Sequence, residues 1–164
     1  MRRLSDSISI TISRCMTHPK PVDAVAPATS KRMAATAARD NPRERALRSQ
    51  LHRRGLRFRL HRRLLTNSRR TVDIVFVGSR IAVLLDGCFW HGCPAHGTWP
   101  KNNAAWWREK IEANMARDRD TDQRLLDAGW TVLRIWEHEP VGIAADRIET
   151  LIRAERAHKE KMRR

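Results

Sequence analysis

The sequence predicts an α/β fold, a mixed β-sheet flanked by helices. Three observations carry the prediction. "TVDIVFV" and "SRIAVLLDG" are short runs rich in β-branched and aliphatic residues, broken by Gly78-Ser79. A long stretch with helical periodicity follows, Asn103 to Ala128, stopped by Gly129. "WTVLRIW" then supplies one more strand, and a strand–helix–strand connection of this kind makes a parallel pair.

The elements can be justified in order. Residues 1–29 mix Ser, Thr, Pro and Ala without periodicity and read as a disordered extension, with Met16 as an alternative start. Residues 30–158 read as the single folded domain, and 159–164, "KEKMRR", as a basic tail. "SKRMAATAARDNPRERALRSQLHRRG" reads as one or two helices ending at Gly55. Within it Asn41 is placed as N-cap, Pro42 at the first helical position and Glu44 two residues on. "LRFRL", 56–60, alternates like a strand; 71–77 and 79–87 follow as a hairpin around a tight "GS" turn. The third strand is apolar enough for burial on both faces. The long helix presents Trp107, Ile111, Met115 and Leu125/Leu126 on one face. The fourth strand spans 130–136, and a last helix spans about 144–158. The order is αβββαβα.

Composition narrows the partners. Lys and Arg number 33 against 18 Asp and Glu, a formal charge of +15. Residues 31–70 alone hold fourteen Lys/Arg and two acids, Asp40 and Glu44. A solvated face accounts for a short basic run; forty residues at this density point to nucleic acid. Three cysteines do not make a disulfide framework. No stretch approaches the ~20 apolar residues that span a bilayer. The Arg/Ser-rich start resembles a transit peptide only superficially. The chain reads as a reduced, cytoplasmic monomer associated with the nucleoid. Cys88 and Cys93 are then free to bind metal, and Cys15 is incidental.

The chemistry concentrates in "LLDGCFWHGCPAHG", 84–97. The third strand ends at Asp86-Gly87-Cys88 and the fourth at Trp136-Glu137-His138. Parallel neighbours bring these ends together, where ligands collect. Cys88, Cys93, His96 and His138 are then two thiolates and two imidazoles, a set that suits a tetrahedral structural Zn²⁺. The alternative is two buried free cysteines and two surface histidines. His91 is left outside the cage, where its imidazole can move a proton; the alternative is a fifth ligand in exchange with His96. Asp73, inside an apolar strand, is either salt-bridged to an arginine or a Mg²⁺ ligand, with Asp86 as a second oxygen. Glu44 either closes a capping box with Asn41 or serves a catalytic site. Phe89 and Trp90 either plug the core or insert between base pairs. Of Trp106 and Trp107, one joins that wedge and the other is core.

These strings resemble the very short patch repair (Vsr) DNA mismatch endonucleases. The resemblance runs from about Ser30 to Glu139 and is carried by "SKRMAATAARD", "ERALRSQLHRRGLRFR", "VDIVF", "GCFWHGC", "WWREKIEANMARDRD" and "LLDAGWTVLRIWEHE". It implies a restriction-endonuclease-like core with a structural zinc. It implies nicking of one strand 5′ to the thymine of a T:G mismatch, the product of 5-methylcytosine deamination. By matched position it gives Asp73 the Mg²⁺, His91 the catalytic histidine's role and Glu44 a supporting one. Cys88, Cys93, His138 and, approximately, His96 fall on the zinc positions. Phe89, Trp90 and Trp107 match intercalating aromatics, and Met33 matches a residue that approaches the other groove. The chain departs from some members at Val72, where they carry Pro, and at Asp86, where they carry His. Cys93 and His138 stand where other members have His and Cys.

The resulting expectation is metal-assisted phosphodiester hydrolysis. Mg²⁺ is held by Asp73 and the Leu85 main-chain carbonyl; His91 accepts a proton from water; Glu44 orients His91 or a metal-bound water. The arginine-rich segment 43–70 grips the phosphates of double-stranded DNA bearing a T:G mismatch. General mismatch-repair proteins are expected partners and a membrane is not. Two alternatives stand: a restriction-like endonuclease that cuts matched DNA, and a zinc-stapled DNA-binding protein without catalysis.

Overall fold

The computed structural model describes residues 41–163. The readings on residues 1–40, including the extension, Cys15, Met33 and the helical start at Ser30, lie outside the described residues. The elements are α1 (Pro42–Arg53), β1 (Arg59–Arg62), β2 (Val72–Phe76), β3 (Ile81–Asp86), α2 (Ala104–Asp127), β4 (Thr131–Trp136) and α3 (Val141–Arg163). This is the expected order of helices and strands. The sheet runs β1-β2-β3-β4, antiparallel twice and then parallel between β3 and β4.

Local chemistry explains most boundaries. Asn41 caps α1, its Oδ1 accepting from the Glu44 N–H at 2.8 Å, and Pro42 follows in the first turn. Gly55, at φ +71°, ends the helix. The Leu56 N–H then bonds the Leu51 carbonyl and the Gly55 N–H the His52 carbonyl. This closure is a Schellman motif, and α2 ends the same way through Gly129, φ +74°, and Trp130. Because Leu56 belongs to the closure of α1, β1 begins at Arg59, later than the sequence predicts. The expected two-residue hairpin is a four-residue connection, Val77 to Arg80, flanked by the pair Phe76↔Ile81. The Arg80 N–H bonds the Val77 carbonyl, and Arg80 takes a left-handed φ of +53°. The last helix starts at Val141 and continues to Arg163, through most of the expected tail.

Two cores flank the sheet. On one face Ile74, Phe76, Ile81, Val83 and Ile135 pack against Leu47 and Leu51 of α1 and Ile148 and Ile152 of α3. On the other, Val75, Ala82 and Leu84 meet Leu125 of α2. β3 is buried on both faces, as expected of the central parallel strand. Leu126, predicted on the seam of α2, is 51% exposed. One residue turns a helix by about 100°, so Leu125 takes the seam and Leu126 faces away.

Two features place the site. β3 and β4 stay in register to Asp86↔Trp136, which brings the residues after both strands together. The Glu137 N–H bonds the Asp86 carbonyl, and the Cys88 N–H donates to Glu137 Oε1 at 2.9 Å. In contrast, β2 and β3 are paired only from Phe76↔Ile81 to Ile74↔Val83. Beyond that point the Leu85 N–H donates to Asp73 Oδ2 at 2.8 Å instead of to a strand carbonyl.

Candidate active site

A cavity of about 190 Å³ opens at the C-terminal ends of β3 and β4. Glu44, Leu85, Asp86, Trp90, His91 and Glu137 are among the residues that line it. Asp73 stands beside it, joined through the Leu85 N–H. The Asp73 carboxyl is held above its ordinary pKa, first by burial and then by the negative charges of Glu44 and Asp86, against the Leu85 N–H and His61. Glu44 is itself buried, with Oε1 3.4 Å from Arg48 Nη1 and 3.5 Å from His61 Nε2. The β1–β2 register sets His61 opposite Asp73, in a left-handed conformation of φ +48°. Both His61 ring nitrogens are buried without a hydrogen bond among the described residues. The negative charge of the buried Glu44 carboxylate thus acts on that of Asp73.

His91 forms the second half of the site. Its Nδ1 lies 2.5 Å from Asp118 Oδ2 and 3.6 Å from Asp86 Oδ1. Burial lowers its pKa, but the Asp118 hydrogen bond and the charges of Asp86 and Asp118 raise it further, so the net shift is upward. Asp118 shifts the other way: burial raises it, and the bond and charge of His91, helped by Arg134 and Arg117, bring it below its ordinary value. The sequence reading has Glu44 orienting His91 or a metal-bound water; the carboxylate on His91 Nδ1 is that of Asp118. It also has Asp86 as a second metal oxygen. In the structure both Asp86 oxygens are engaged by Arg134 Nη1, at 2.7 and 2.8 Å.

Cys88, Cys93, His96 and His138 converge as the sequence predicts, with one donor atom from each within 4.8 Å of the others. His138 Nδ1 is 3.1 Å from Cys88 Sγ and 3.6 Å from Cys93 Sγ. Both thiols are buried and free. Without a counter-cation they are uneasy neighbours. Burial, and then Cys93, push the Cys88 thiol up to about 11. Cys93 is lowered despite its burial, chiefly by the backbone N–H groups of His96 and Ala95. Tetrahedral zinc bonds of about 2.0–2.3 Å imply donor separations of roughly 3.3–3.8 Å, so the donor set fits such an ion after small adjustment.

The aromatic residues form one cluster. Phe89 packs edge-on to Trp90 at 5.1 Å and to Trp107 at 5.3 Å, and Trp107 packs edge-on to Trp106 at 4.7 Å. Phe89 and Trp90 are half-buried, and Trp107 is buried beneath them. Asn114 donates to the Trp90 carbonyl at 3.0 Å, tying the loop to α2.

Asp118, Arg134 and His61 are the residues that the sequence reading missed. A signal for Asp118 exists. Trp107, Ile111, Asn114, Asp118, Thr121 and Leu125 follow one another at three- or four-residue spacing, which puts polar groups on the buried face of α2. Arg134 is a charge between Leu133 and Ile135 of a strand, the same kind of signal that singled out Asp73.

Comparison with known proteins agrees with this architecture. The family model for DNA mismatch endonuclease Vsr matches residues 22–96. The type II nicking enzyme V.NaeI of Lentzea aerocolonigenes is 39% identical over 143 residues, covering 83% of this chain and 84% of that protein. The type II nicking enzyme V.XorIIP of Xanthomonas oryzae pv. oryzae is 40% identical over 97 residues, 58% of this chain and 69% of that protein. The DNA mismatch endonuclease Vsr of Escherichia coli K12 is 38% identical over 110 residues, 66% and 68% respectively. Fold and relatives together make this chain a DNA endonuclease. More particularly, it belongs to the DNA mismatch endonuclease Vsr family. No helix among the described residues is long and apolar enough to cross a membrane.

Proposed function

We propose that this protein nicks one strand of double-stranded DNA on the 5′ side of the thymine in a T:G mismatch, with Mg²⁺ as its catalytic ion and Zn²⁺ as a structural one. One observation carries the reading. A carboxylate-backed histidine, His91 with Asp118, and a carboxylate pair, Asp73 with Glu44, flank the same strand ends beside a partly exposed aromatic cluster. The charge of Glu44 raises the pKa of the buried Asp73 carboxyl, a cost that a cation relieves, and a hard divalent ion accepts one or two carboxylates together with water and phosphate oxygens. Asp73 and the Leu85 carbonyl would hold it. When bound, it supplies positive charge against the phosphate and lowers the pKa of nearby water.

The residues of the chain do the rest. Asp118 holds the Nδ1 proton of His91, so that Nε2 carries the lone pair and can accept a proton from the attacking water. Glu44, backed by Arg48, fixes the second wall of the site. Phe89 and Trp90 enter the stack next to the mismatch, with Trp107 as the base on which they rest. A wobble pair unstacks more readily than a matched one, so the opening cost favours the mismatch. Cys88, Cys93, His96 and His138 would hold Zn²⁺, which when bound would pin the loop that carries both His91 and the aromatics. Arginines of 43–70 grip phosphates. Recruitment of general mismatch-repair proteins belongs to the same reading.

The test is a strand-specific nicking assay with Mg²⁺, comparing a T:G duplex with its C:G control for the wild type and His91→Ala. The expected result is a nick 5′ to the mispaired thymine, absent from the control and reduced by about 10²–10⁴-fold in the variant, the range for loss of a general base. Equal nicking of the two duplexes would replace the mismatch reading with that of a nuclease for matched DNA. That outcome has its own motive, since the names of several relatives specify nicking and not mismatches.

A further inference from the structure

Arg134 lies in the middle of β4, on the sheet face covered by α2. Its neighbours there, Val132 of β4 and Ala82 and Leu84 of β3, are apolar. Into this face the chain sets one guanidinium and three carboxylates. Nη1 takes both oxygens of Asp86. Nε and Nη2 take Asp122, at 2.8–3.1 Å. Nη2 also reaches Asp118, 3.3 Å from its main-chain oxygen and 3.5 Å from Oδ1. Asp86 is only 3% exposed.

A buried ion pair is often matched or bettered in stability by apolar residues of similar size, and the surrounding surface would accept them. What the arrangement does supply is direction. Asp86 and Asp118 are the two carboxylates that meet Nδ1 of His91. They come from β3 and α2, and Arg134 of β4 touches both. A planar, five-donor fork restricts where those oxygens can lie, which a point charge does not.

We infer that Arg134 and Asp86 form a positioning clamp for His91, locking Asp118 and Asp86 so that His91 keeps its proton on Nδ1 and presents Nε2 to the cavity. The clamp rests on the reading of His91 as proton acceptor. Neither residue touches the reacting atoms. A misplacement of the base by about 1 Å is enough to cost about 10²-fold in rate.

The test uses Asp86→Leu and Arg134→Met together, a change that conserves net charge and replaces the pair by apolar side chains. Full-length protein is assayed on whichever duplex the wild type nicks. The expected result is folded protein with an unchanged KM for DNA and a kcat lower by about 10²-fold. In parallel, ¹⁵N-histidine spectra should show His91 as a single Nδ1–H tautomer in the wild type and as a mixture in the variant. Wild-type kcat with an unchanged tautomer would overturn the clamp. Arg134→Lys is the second variant, for the case in which the pair of substitutions disturbs folding. It keeps the charge without the fork and is expected to lose kcat as well; full activity would overturn the clamp by showing that charge suffices. His91→Ala separates the two levels. If it nicks normally, the reading of His91 falls and takes the clamp with it. If it is inactive while the clamp variants are normal, only the clamp falls.

Discussion

His91 and Cys93 are two residues apart on one loop, yet they belong to constellations built on different plans. The Cys/His cluster, which could hold a metal, takes three of its four side chains from a nine-residue stretch, Cys88 to His96, and only His138 from elsewhere. Its residue types are rare, close in sequence and chemically alike. The His91 constellation draws on three separate elements: Asp118 from α2, Arg134 from β4, and Asp86 from the end of β3, the one member near His91 in sequence. Its residue types are common, and each has an innocent alternative. In the proposed function the first constellation fixes where the loop is. The second fixes what one side chain on that loop can do. A loop without regular structure needs both, since the aromatic residues between them have no strand or helix to aim them.

The comparison breaks most readily at the metal cluster. Cys88→Ser removes one of two thiolates and should release the ion, and the energy of structural zinc, about 10–16 kcal/mol in small peptides, is folding energy. The expected outcome is one zinc per chain in the wild type and none in the variant by metal analysis, together with loss of all nicking, because His91, Phe89 and Trp90 ride on the same loop. A variant that has lost its metal and still nicks would separate the two constellations and leave the cluster without a role in catalysis.

The same contrast explains how much was legible beforehand. The strands, the long helix and the parallel pairing follow from periodicity and from glycines that must take positive φ, and the structure has them. The convergence of Cys88, Cys93, His96 and His138 follows from that pairing alone. Asp118 and Arg134 were not legible in the same way. A carboxylate on an amphipathic helix and an arginine in a strand acquire meaning only when the helix crosses the strand. His61 required more: its place opposite Asp73 depends on a register that its own left-handed backbone interrupts. Glu44 shows that two readings need not compete. The main chain of Glu44 serves the N-cap of α1 through Asn41, while the charge of its buried carboxylate acts on Asp73.

A smaller effect is expected at the aromatic cluster, which both constellations hold in place. Phe89→Ala should weaken binding to T:G DNA by about 1–3 kcal/mol, the worth of one stacked base, and weaken binding to matched DNA by less. Paired titrations of the two duplexes at fixed salt measure the difference. Equal losses would mean that Phe89 acts as a prop for Trp90 and Trp107 and that the mismatch is sensed elsewhere.

The smallest effect sharpens the comparison at Asp118, the one carboxylate of the His91 constellation whose pKa is lowered. Burial opposes that shift, and the hydrogen bond and charge of His91 outweigh it, with Arg134 and Arg117 assisting. A folded-state pKa below the unfolded value, about 3.9 for aspartate, means that the unfolded chain binds the proton more readily. The stabilisation from Asp118 is therefore complete above about pH 4 and drains away as pH falls through the lower folded value. Asp118→Asn cannot titrate, and the same hydrogen bond raises the pKa of His91, so the melting temperature of the variant should lie furthest below that of the wild type between about pH 4 and the ordinary histidine value of about 6.5. The gap should narrow at both ends: as pH falls through the lowered pKa of Asp118, and as pH rises through the raised pKa of His91. A gap that does not change as pH rises past the histidine range would assign the stabilisation to another partner, and a gap of zero throughout would mean that Asp118 serves the orientation of His91 without helping the fold.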